Sequence, residues 1–407
     1  MSGFADLSLA AAAARHARPG TPLALATLVG VDGSSYRQPG ARLLVDADGR
    51  VLAGAISGGC LEGDVAARAG AVCESGIAAT LVYDLRSDLE AIWGFGSACD
   101  GIATVLLEPY GDWMAEAERI RVSRRGGAVI THLGDGGRAQ ATVAIADGET
   151  LVTIAKTMHE LDVAARAHIM RRVSTSMRTG RAHVVRSGLD TYFVDPLVAP
   201  IALHVIGAGR GAEAFARIAC TLGWDVLIAD HRPALLDSLL LPAGARSTVL
   251  RADDTAADSL VHDARTAVAL LTHIFDTDLA WLARLVPSAV GYIGVLGSRQ
   301  RAAKLVERLA IDGVRCTPAM LHRVHAPIGL DLGGETPESI ALAAIAEIEA
   351  VMHARPGGLL RERQSPIHER TPVPTDAGRS DVGSPAPGRS ASAVTVDSCV
   401  RPLSDSR

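Results

Sequence analysis

The sequence predicts an α/β protein with two folded domains and a disordered C-terminal tail. The chain has 407 residues, 48% of them hydrophobic and 21% charged, which at roughly 150 residues per domain is enough for more than one core. Apolar runs and helical segments alternate from 201 to 353, a pattern typical of a doubly wound parallel sheet with helices on both faces. From 355 onward Pro, Ser, Arg and Gly replace this periodicity, so the segment cannot bury a core.

Composition and charge exclude several classes of protein. The chain carries 40 basic and 45 acidic residues and a formal charge of −5, so no overall positive field attracts nucleic acid. No stretch reaches the ~18 uncharged apolar residues of a membrane helix, and the run Leu7–Ala14 lacks the basic lead of a signal peptide. The six cysteines form no C-x-x-C pair, which predicts free thiols. We therefore expect a cytoplasmic protein that binds neither nucleic acid nor a membrane.

The first predicted domain covers 1–196 and mixes helices with strands. Turn signals at Asp195-Pro196 and Pro200 mark its end, because a new apolar strand follows them. Strand-like and helical segments continue to Val194 without a pattern clear enough to assign. The elements predicted from periodicity are a helix over 5–17, strands over 23–31, 42–46 and 51–56, a helix over 62–74, and a buried strand over 103–107.

The second predicted domain covers 197–354, and the tail covers 355–407. Strands separated by helices of this length pair in parallel, because each helix carries the chain back across the sheet. The predicted strands span 201–206, 226–229, 267–271 and 290–295, and the predicted helices span 213–222, 277–286, 299–312 and 337–353.

A glycine-rich segment marks a candidate nucleotide site in the second domain. The run from Gly207 through Gly209 to Ala212 follows an apolar strand and opens a helix, and Asp230 ends the next strand. This context predicts a Rossmann-like domain with phosphate at the helix N-terminus and Asp230 bonded to a ribose hydroxyl. Arg232 is an alternative partner for a 2′-phosphate, so NAD and NADP both stay open. A scaffold with an altered or absent nucleotide is the competing interpretation.

Three further features follow strands of the second domain. Gly297-Ser298-Arg299 forms either a second phosphate-type loop or an ordinary turn. His273 ends a strand at the point where α/β folds place ligands, although a lone histidine is more often a surface or core residue. His325 precedes a loop over 326–334 that contains one proline and three glycines and is rigid enough to shape a site.

The most reactive candidate in the first domain is Cys60. Gly58 and Gly59 precede it at a predicted helix start, where aligned N–H groups and the helix dipole lower the pKa of a thiol. The same N-terminus would hold an anion such as a phosphate. The alternative is a small buried cysteine. Cys99 also lies in a glycine-flanked loop.

The ordered motifs resemble those of the XdhC/CoxI family, the accessory proteins of xanthine dehydrogenase, over about residues 1–352. The motifs that carry the resemblance are Gly33 to Arg42, Ser57 to Gly63, Gly94 to Gly101, Gly207-Ala208-Gly209, Thr272-His273, Gly294 to Arg299, His325 to Asp331, Gly334, Thr336-Pro337-Glu338 and Ile340-Ala341. Two positions depart from the family pattern. Asp100 follows Cys99 where the family has Cys-Gly-Gly, and Ile274-Phe275 follow Thr272-His273 where it has Thr-His-Asp-His.

The resemblance implies a CoxI-type N-terminal domain, a Rossmann-like second domain and a role in handling molybdenum cofactor. Such a protein binds the molybdopterin cofactor, supports its sulfurated form and delivers it to a molybdenum hydroxylase such as xanthine dehydrogenase. The expected partners are the hydroxylase apoenzyme, a cofactor sulfurase and further copies of the chain. The expected cofactor-binding residues are Arg37, Arg42, Gly58, Gly59, Cys60, Cys99, Gly207, Gly209, Asp230, His273, Gly297, Ser298, Arg299 and His325, with Cys60 and Cys99 as molybdenum contacts.

Two other functions compete with cofactor delivery. An NAD(P)-dependent oxidoreductase would use the glycine-rich site, but His273 is its only candidate acid or base at a strand end. A nucleotide-sensing scaffold would keep the fold without chemistry.

Two arginines of the first domain, Arg37 and Arg42, are expected to hold the anionic end of the cofactor. The alternative is that both are solvated surface arginines. The sequence has no Gly-x-Ser-x-Gly, His-Glu-x-x-His or Walker motif, which disfavours hydrolases and kinases.

Overall fold

The computed structural model places three β-sheets along the chain. It describes residues 3–33, 35–85, 101–111, 113–124, 126–133, 142–147, 150–153, 163–188, 190–260 and 263–365. These residues all belong to one compact unit, Met1–Glu369. Within the described ranges, every helix is too short or too polar to cross a membrane.

The first sheet is antiparallel, with strand order β3-β2-β1-β5-β4. Helix α2 covers one face, where Val65 and Ala69 join the core with Leu43, and α1 covers the other, where Leu7 packs with Leu25. Because helices lie on both faces, β1 is apolar along most of its length. The elements are α1 (Gly3–His16), β1 (Leu23–Gly33), β2 (Arg42–Asp46), β3 (Val51–Gly54), α2 (Glu62–Ser75), β4 (Ala79–Asp84) and β5 (Gly101–Pro109).

A second antiparallel sheet, which the sequence did not predict, follows with strand order β8-β7-β6-β10-β9. Helix α4 packs on it through Ile169 and Val173, which contact Ile130 and Val194 in one cluster. The elements are α3 (Trp113–Val122), β6 (Gly127–His132), β7 (Thr142–Asp147), β8 (Thr150–Thr153), α4 (Val163–Thr179), β9 (His183–Ser187) and β10 (Asp190–Leu197).

The third sheet is the predicted doubly wound parallel sheet, with strand order β13-β12-β11-β14-β15-β16. Phe215 of α5 and Ile345 of α10 fill the core on one face, and Trp281 of α7 and Leu305 of α8 fill it on the other. The elements are β11 (Ala202–Ile206), α5 (Arg210–Thr221), β12 (Asp225–Asp230), α6 (Pro233–Asp237), β13 (Ala245–Val249), β14 (Thr266–Leu270), α7 (Phe275–Leu285), β15 (Tyr292–Val295), α8 (Arg299–Ile311), α9 (Pro318–Leu321), β16 (Val324–His325) and α10 (Pro337–Met352).

The N-terminal part of the chain contacts the third sheet at the amino ends of its strands. Arg124 donates from Nε and Nη2 to the Asp263 carboxylate, at 2.8 and 3.0 Å, and from Nη1 to the carbonyl of Pro200 at 2.9 Å. Arg265 donates from Nε to the carbonyl of Ala199 at 2.7 Å. Ala199 and Pro200 precede β11, and Asp263 and Arg265 precede β14. This joint between the N-terminal part and the third sheet therefore lies opposite the carboxyl ends of the strands.

The segment after α10 begins the predicted tail. Residues 355–365 are described and include a 3-10 turn at Leu360–Glu362. Gly357 lies against the loop that follows β16, since a Cβ there would come within 3.1 Å of the Leu330 side chain. The rest of the predicted tail, 366–407, lies outside the described residues.

Candidate functional site

Two N-terminal motifs meet at one end of the first sheet. β1 and β3 run in the same direction, because both pair antiparallel with β2. The loops that follow these two strands therefore leave the sheet at the same end, where Gly33 of β1 pairs with Gly101 of β5. The ring of Tyr36 lies 3.7 Å from the position that a Cβ on Gly58 would occupy. The Tyr36–Arg37 loop and the Ser57–Cys60 segment are therefore neighbours.

Cys60 lies at this end of the sheet with a free, half-buried thiol. It precedes Leu61, the N-cap residue of α2, as the predicted helix start requires. Cys99, the other expected molybdenum contact, lies outside the described residues. Within the described ranges, no three His, Cys, Asp or Glu side chains converge as a metal site.

The helix start beside Cys60 already holds an anion, which is the carboxylate of Glu62. Glu62 accepts hydrogen bonds from the N–H groups of Ile56 and Ser57, at 3.0 and 2.7 Å, and from the Ser57 hydroxyl. The Ser57 oxygen in turn accepts from the N–H groups of Gly59 and Leu61, both at 3.1 Å. The chain's own side chains therefore use the N–H groups of Ile56, Ser57, Gly59 and Leu61. Phosphate binding by the first turn of α2 stays a prediction.

Glu62 is ionised in this setting. Burial acts to raise the pKa of its carboxyl, but the hydrogen bonds from Ser57 and the backbone outweigh burial and lower it. A carboxylate in the first helical turn also benefits from the helix dipole. The sequence signal that could have shown this is Glu62 itself, an acidic residue in the first turn of the predicted helix.

Arg42 is a structural residue, which corrects its expected role as a cofactor ligand. Its side chain is 3% exposed and donates from Nη2 to Asp195 at 2.5 Å and from Nη1 to the carbonyl of Gly40 at 3.1 Å. The alternative of a solvated surface arginine is wrong for Arg42 as well. Arg37 is half-buried in the loop beside Tyr36.

The glycine-rich segment of the third sheet has the close approach and the open space that the motif predicts. Gly207 has φ +117°, and a Cβ there would lie 2.8 Å from the carbonyl carbon of Leu271. Gly209 is the N-cap residue of α5, and a Cβ there would meet no atom within 4 Å. Gly207 therefore fits β11 against β14, whereas Gly209 leaves room in front of the helix.

Asp230 does not present its carboxylate for a ribose hydroxyl, which corrects the expectation from the sequence. Oδ2 accepts from the N–H of Ala208 and from Nη2 of Arg232, both at 2.8 Å. Oδ1 accepts from the backbone N–H and Nε of Arg232, both at 2.9 Å. The side chain is 1% exposed, and although burial acts to raise its pKa, these bonds lower the pKa to about 2. The pair instead holds the glycine-rich segment against β12.

A cavity of about 350 Å³ lies at the carboxyl ends of the parallel strands. It opens beside the point where the strand order reverses, between β11 and β14, where α/β sheets bind ligands. Its floor combines apolar side chains from both sides of that point with a few polar ones. The lining residues are Ile206, Asp230, His231, Leu250, Arg251, Ala252, Asp253, Thr272, Asp276, Thr277, Ala280 and Trp281.

The loop after β14 contains a charged network that the sequence analysis missed. His273 is exposed and has φ +59°, a left-handed conformation that is uncommon for a residue with a Cβ. Thr272 donates to the buried carboxylate of Asp278 at 2.5 Å, and Nη1 of Arg301 donates to the same carboxylate at 2.9 Å. Burial raises the pKa of Asp278 despite both bonds. Arg301 also lies over the Phe275 ring, at 5.8 Å from its centroid.

The Gly297-Ser298-Arg299 segment begins α8 at the neighbouring strand end. The Ser298 hydroxyl accepts from the N–H of Arg301 at 3.2 Å, so it caps the helix. Gly297 has φ +143°, and Arg299 is exposed at the first helical position. The structure thus places these residues at the same end of the sheet as Gly207, Gly209, Asp230 and His273.

His325 points into a different network, beneath α10. Its Nδ1 lies 3.1 Å from Oε1 of Glu347, and its ring stacks on Tyr292 at 4.3 Å. Glu347 also accepts from the Tyr292 hydroxyl at 2.5 Å and from the N–H of Gly329 at 2.8 Å. His325 therefore anchors the 326–334 loop to α10, and among the described residues its hydrogen bond and ring contact are to Glu347 and Tyr292, not to His273 or Arg299.

Matches to family models show which protein family the chain belongs to. The chain matches two family models: "XdhC Rossmann domain" over residues 203–348 and "XdhC and CoxI family" over residues 16–84. The chain belongs to the XdhC/CoxI family. The first match spans the glycine-rich segment, the cavity and the Glu347 network, and the second spans Cys60 and Glu62.

Two of three similar proteins carry names that refer to xanthine dehydrogenase. A Bacillus subtilis protein, described as a probable subunit of xanthine dehydrogenase, is 29% identical over 330 residues, covering 80% of this XdhC/CoxI chain and 91% of the relative. The uncharacterized protein YqeB of Escherichia coli is 32% identical over 177 residues, which is 43% of this chain and 32% of that protein. The crystal structure of a xanthine dehydrogenase from Bacillus halodurans shares the fold, with a TM-score of 0.69, 24% identity, and coverage of 86% of this chain and 96% of that one.

Proposed function

We propose that this protein binds the molybdenum cofactor, supports its sulfurated form and delivers it to a molybdenum hydroxylase such as xanthine dehydrogenase. The observation that carries the proposal is the meeting of the Cys60 segment with the Tyr36–Arg37 loop at one end of the first sheet. Family membership and the names of the relatives support the accessory role. The proposed partners are the hydroxylase apoenzyme, a cofactor sulfurase and a second copy of the chain.

The side chains at this end of the sheet fit one part of the cofactor and not another. When bound, the cofactor supplies a molybdenum–sulfur centre and a phosphate. The free, half-buried thiol of Cys60 is a soft donor suited to the metal–sulfur end. The phosphate finds no free N–H groups at Ile56 or Ser57, because Glu62 uses them. Arg37, in the loop beside Tyr36, is the cationic side chain of the expected set that we propose for the phosphate.

Pterin retention tests the proposal. The full chain is purified from a host that makes molybdenum cofactor, and bound pterin is measured by fluorescence after oxidation. We expect the wild type to retain pterin and to activate an added molybdenum hydroxylase apoenzyme, and Cys60→Ala to retain less pterin with an unchanged circular dichroism spectrum. Cys73→Ala is the matched control, since that thiol is also half-buried and lies farther along α2. A wild type without pterin, or equal pterin in Cys60→Ala, would contradict the proposal.

A further inference from the structure

The cavity of the third sheet has the position and the lining expected of a nucleotide site. Ile206, Leu250 and Trp281 supply an apolar floor, and the cavity lies beside the strand-order reversal where α/β sheets bind dinucleotides. The space in front of Gly209 adjoins the N-terminus of α5, which favours the approach of a phosphate. A nucleotide with its nucleoside in the cavity and its phosphates in front of Gly209 would use both features.

Asp230 is not available to accept a hydrogen bond from a ribose hydroxyl, as the acidic residue at this position does in NAD-binding domains. A carboxylate offers about four acceptor positions, and Asp230 has a hydrogen bond at each of them, three from Arg232 and one from Ala208. Its side chain is almost fully buried. A ribose with two free hydroxyls therefore finds no acceptor at Asp230 while Arg232 stays in place.

Arg232 offers the opposite chemistry at the same point. Its side chain is 40% exposed, and Asp230 takes hydrogen bonds only from Nε and Nη2, which leaves Nη1 without a partner in the described structure. A guanidinium donates hydrogen bonds and prefers phosphate oxygens, often through two nitrogens. Arg232 adjoins the cavity through Asp230, to which it donates and which lines the cavity. The charged groups that line the cavity besides Asp230 are His231, Arg251, Asp253 and Asp276. The group that fits beside Arg232 is an anion attached to the ribose.

We propose that this cavity binds a nucleotide whose ribose carries a phosphate, the chemical class of NADP, and that Arg232 selects it over the unphosphorylated form. Asp230 acts as a positioning residue, because it holds the guanidinium beside the cavity and ties it to the glycine-rich segment through Ala208. The inference is independent of molybdenum cofactor binding. Pterin content is not among its readouts, so either proposal can fail while the other stands.

Isothermal titration of the full chain with two matched pairs of ligands tests the proposal. NADP⁺ is compared with NAD⁺, and adenosine 2′,5′-bisphosphate with AMP, since each pair differs by one ribose phosphate. Because hydrogen bonds to charged groups are strong, we expect the phosphorylated member to bind about tenfold more tightly or better. Equal or weaker binding of the phosphorylated members, or no measurable binding of any of the four ligands, would overturn the proposal.

Variants of Arg232 separate selection from a structural role. Arg232→Ala should remove the preference and free Asp230, so that NADP⁺ binds about tenfold more weakly while NAD⁺ binding stays the same or improves. Arg232→Lys should keep part of the preference and covers the case in which the alanine variant does not fold. Arg308→Ala is the matched control, because Arg308 pairs with Asp312 at the other end of α8. A preference that survives in Arg232→Ala, or an equal loss for NAD⁺ and NADP⁺, would exclude Arg232 as the selecting residue.

Discussion

Arg42 and Asp195 join the first sheet to the second through an ion pair of 2.5 Å, although 153 residues separate them in the chain. The two side chains are 3% and 9% exposed, so neither charged group can be solvated by water if the other is removed. Glu108 is buried near the same guanidinium. The pair is therefore a structural requirement of the N-terminal region.

Removing one member of this pair should be strongly destabilising. We expect Arg42→Ala to lower the free energy of unfolding by about 3–5 kcal/mol, because Asp195 is left buried without its partner. The double variant Arg42→Met, Asp195→Leu should recover much of that loss, since it removes both charges and keeps the volume. Urea unfolding of the three proteins measures both effects. A single variant as stable as the wild type would show that Asp195 finds another partner.

Glu108 should make stability fall as pH rises. Burial raises the pKa of its carboxyl from the ordinary 4.5 to about 7, against the opposing effect of Arg42. The folded protein therefore keeps a proton that the unfolded chain has lost between those values, and stability decreases across that window by about 3 kcal/mol before levelling above it. Glu108→Gln should remove this loss. Unfolding at pH 5 and pH 8 tests it: the variant should exceed the wild type at pH 8, and a constant difference at both values would refute the assignment.

The two glycines of the nucleotide motif should respond differently to substitution. Gly207→Ala should cost about 3 kcal/mol or more, because φ is +117° and the new Cβ meets backbone at 2.8 Å. Gly209→Val should leave the melting temperature nearly unchanged, since a Cβ there meets nothing within 4 Å, yet it should abolish NADP⁺ binding by filling the phosphate space. Thermal melts and titration separate the two effects. Retained NADP⁺ binding in Gly209→Val would place the phosphate elsewhere.

The Glu347 network should stabilise the third sheet most above the acid range. Burial acts to raise the pKa of Glu347, but bonds from His325, Tyr292 and the Gly329 N–H lower it. A lowered folded pKa means that this stability is present above 4.5 and is lost as pH falls through the folded value. We expect Glu347→Ala to cost about 2–4 kcal/mol at neutral pH and Tyr292→Phe about 1, because only the first leaves several buried groups unpaired. Equal losses in the two variants would argue against a shared network.

The parallel sheet was predictable because its strands are continuous apolar runs buried on both faces. The runs around Leu203, Val268 and Ile293 became β11, β14 and β15, and the predicted helix over 337–353 became α10. Strand β13 was missed because Arg246 and Ser247 are exposed at the edge of the sheet, where no apolar alternation is required. β16 was missed because two residues are too few to show a period.

The sites were predictable where a motif dictates the backbone and not where a long-range contact decides. The glycine-rich segment fixes a turn, so its position before α5 followed from the residue types. The structural role of Arg42 depends on its ion pair with Asp195. No local sequence pattern links these two residues. The carboxylate of Asp230 is occupied because Arg232 donates hydrogen bonds to it. The N–H groups before Cys60 are occupied because the Glu62 carboxylate accepts from Ser57. These are competitions among side chains, and periodicity carries no information about them.

The joint between Arg124 and Asp263 has a consequence for how the protein can change over time. It fastens the N-terminal sheets to the amino ends of the parallel strands, whereas the cavity and its loops lie at the carboxyl ends. Loops at the carboxyl ends can be lengthened, shortened or recharged without touching a residue of the joint. Ligand preference and the attachment of the N-terminal region can therefore diverge separately among descendants of this chain, and a laboratory selection for a new ligand can leave the joint out of its library.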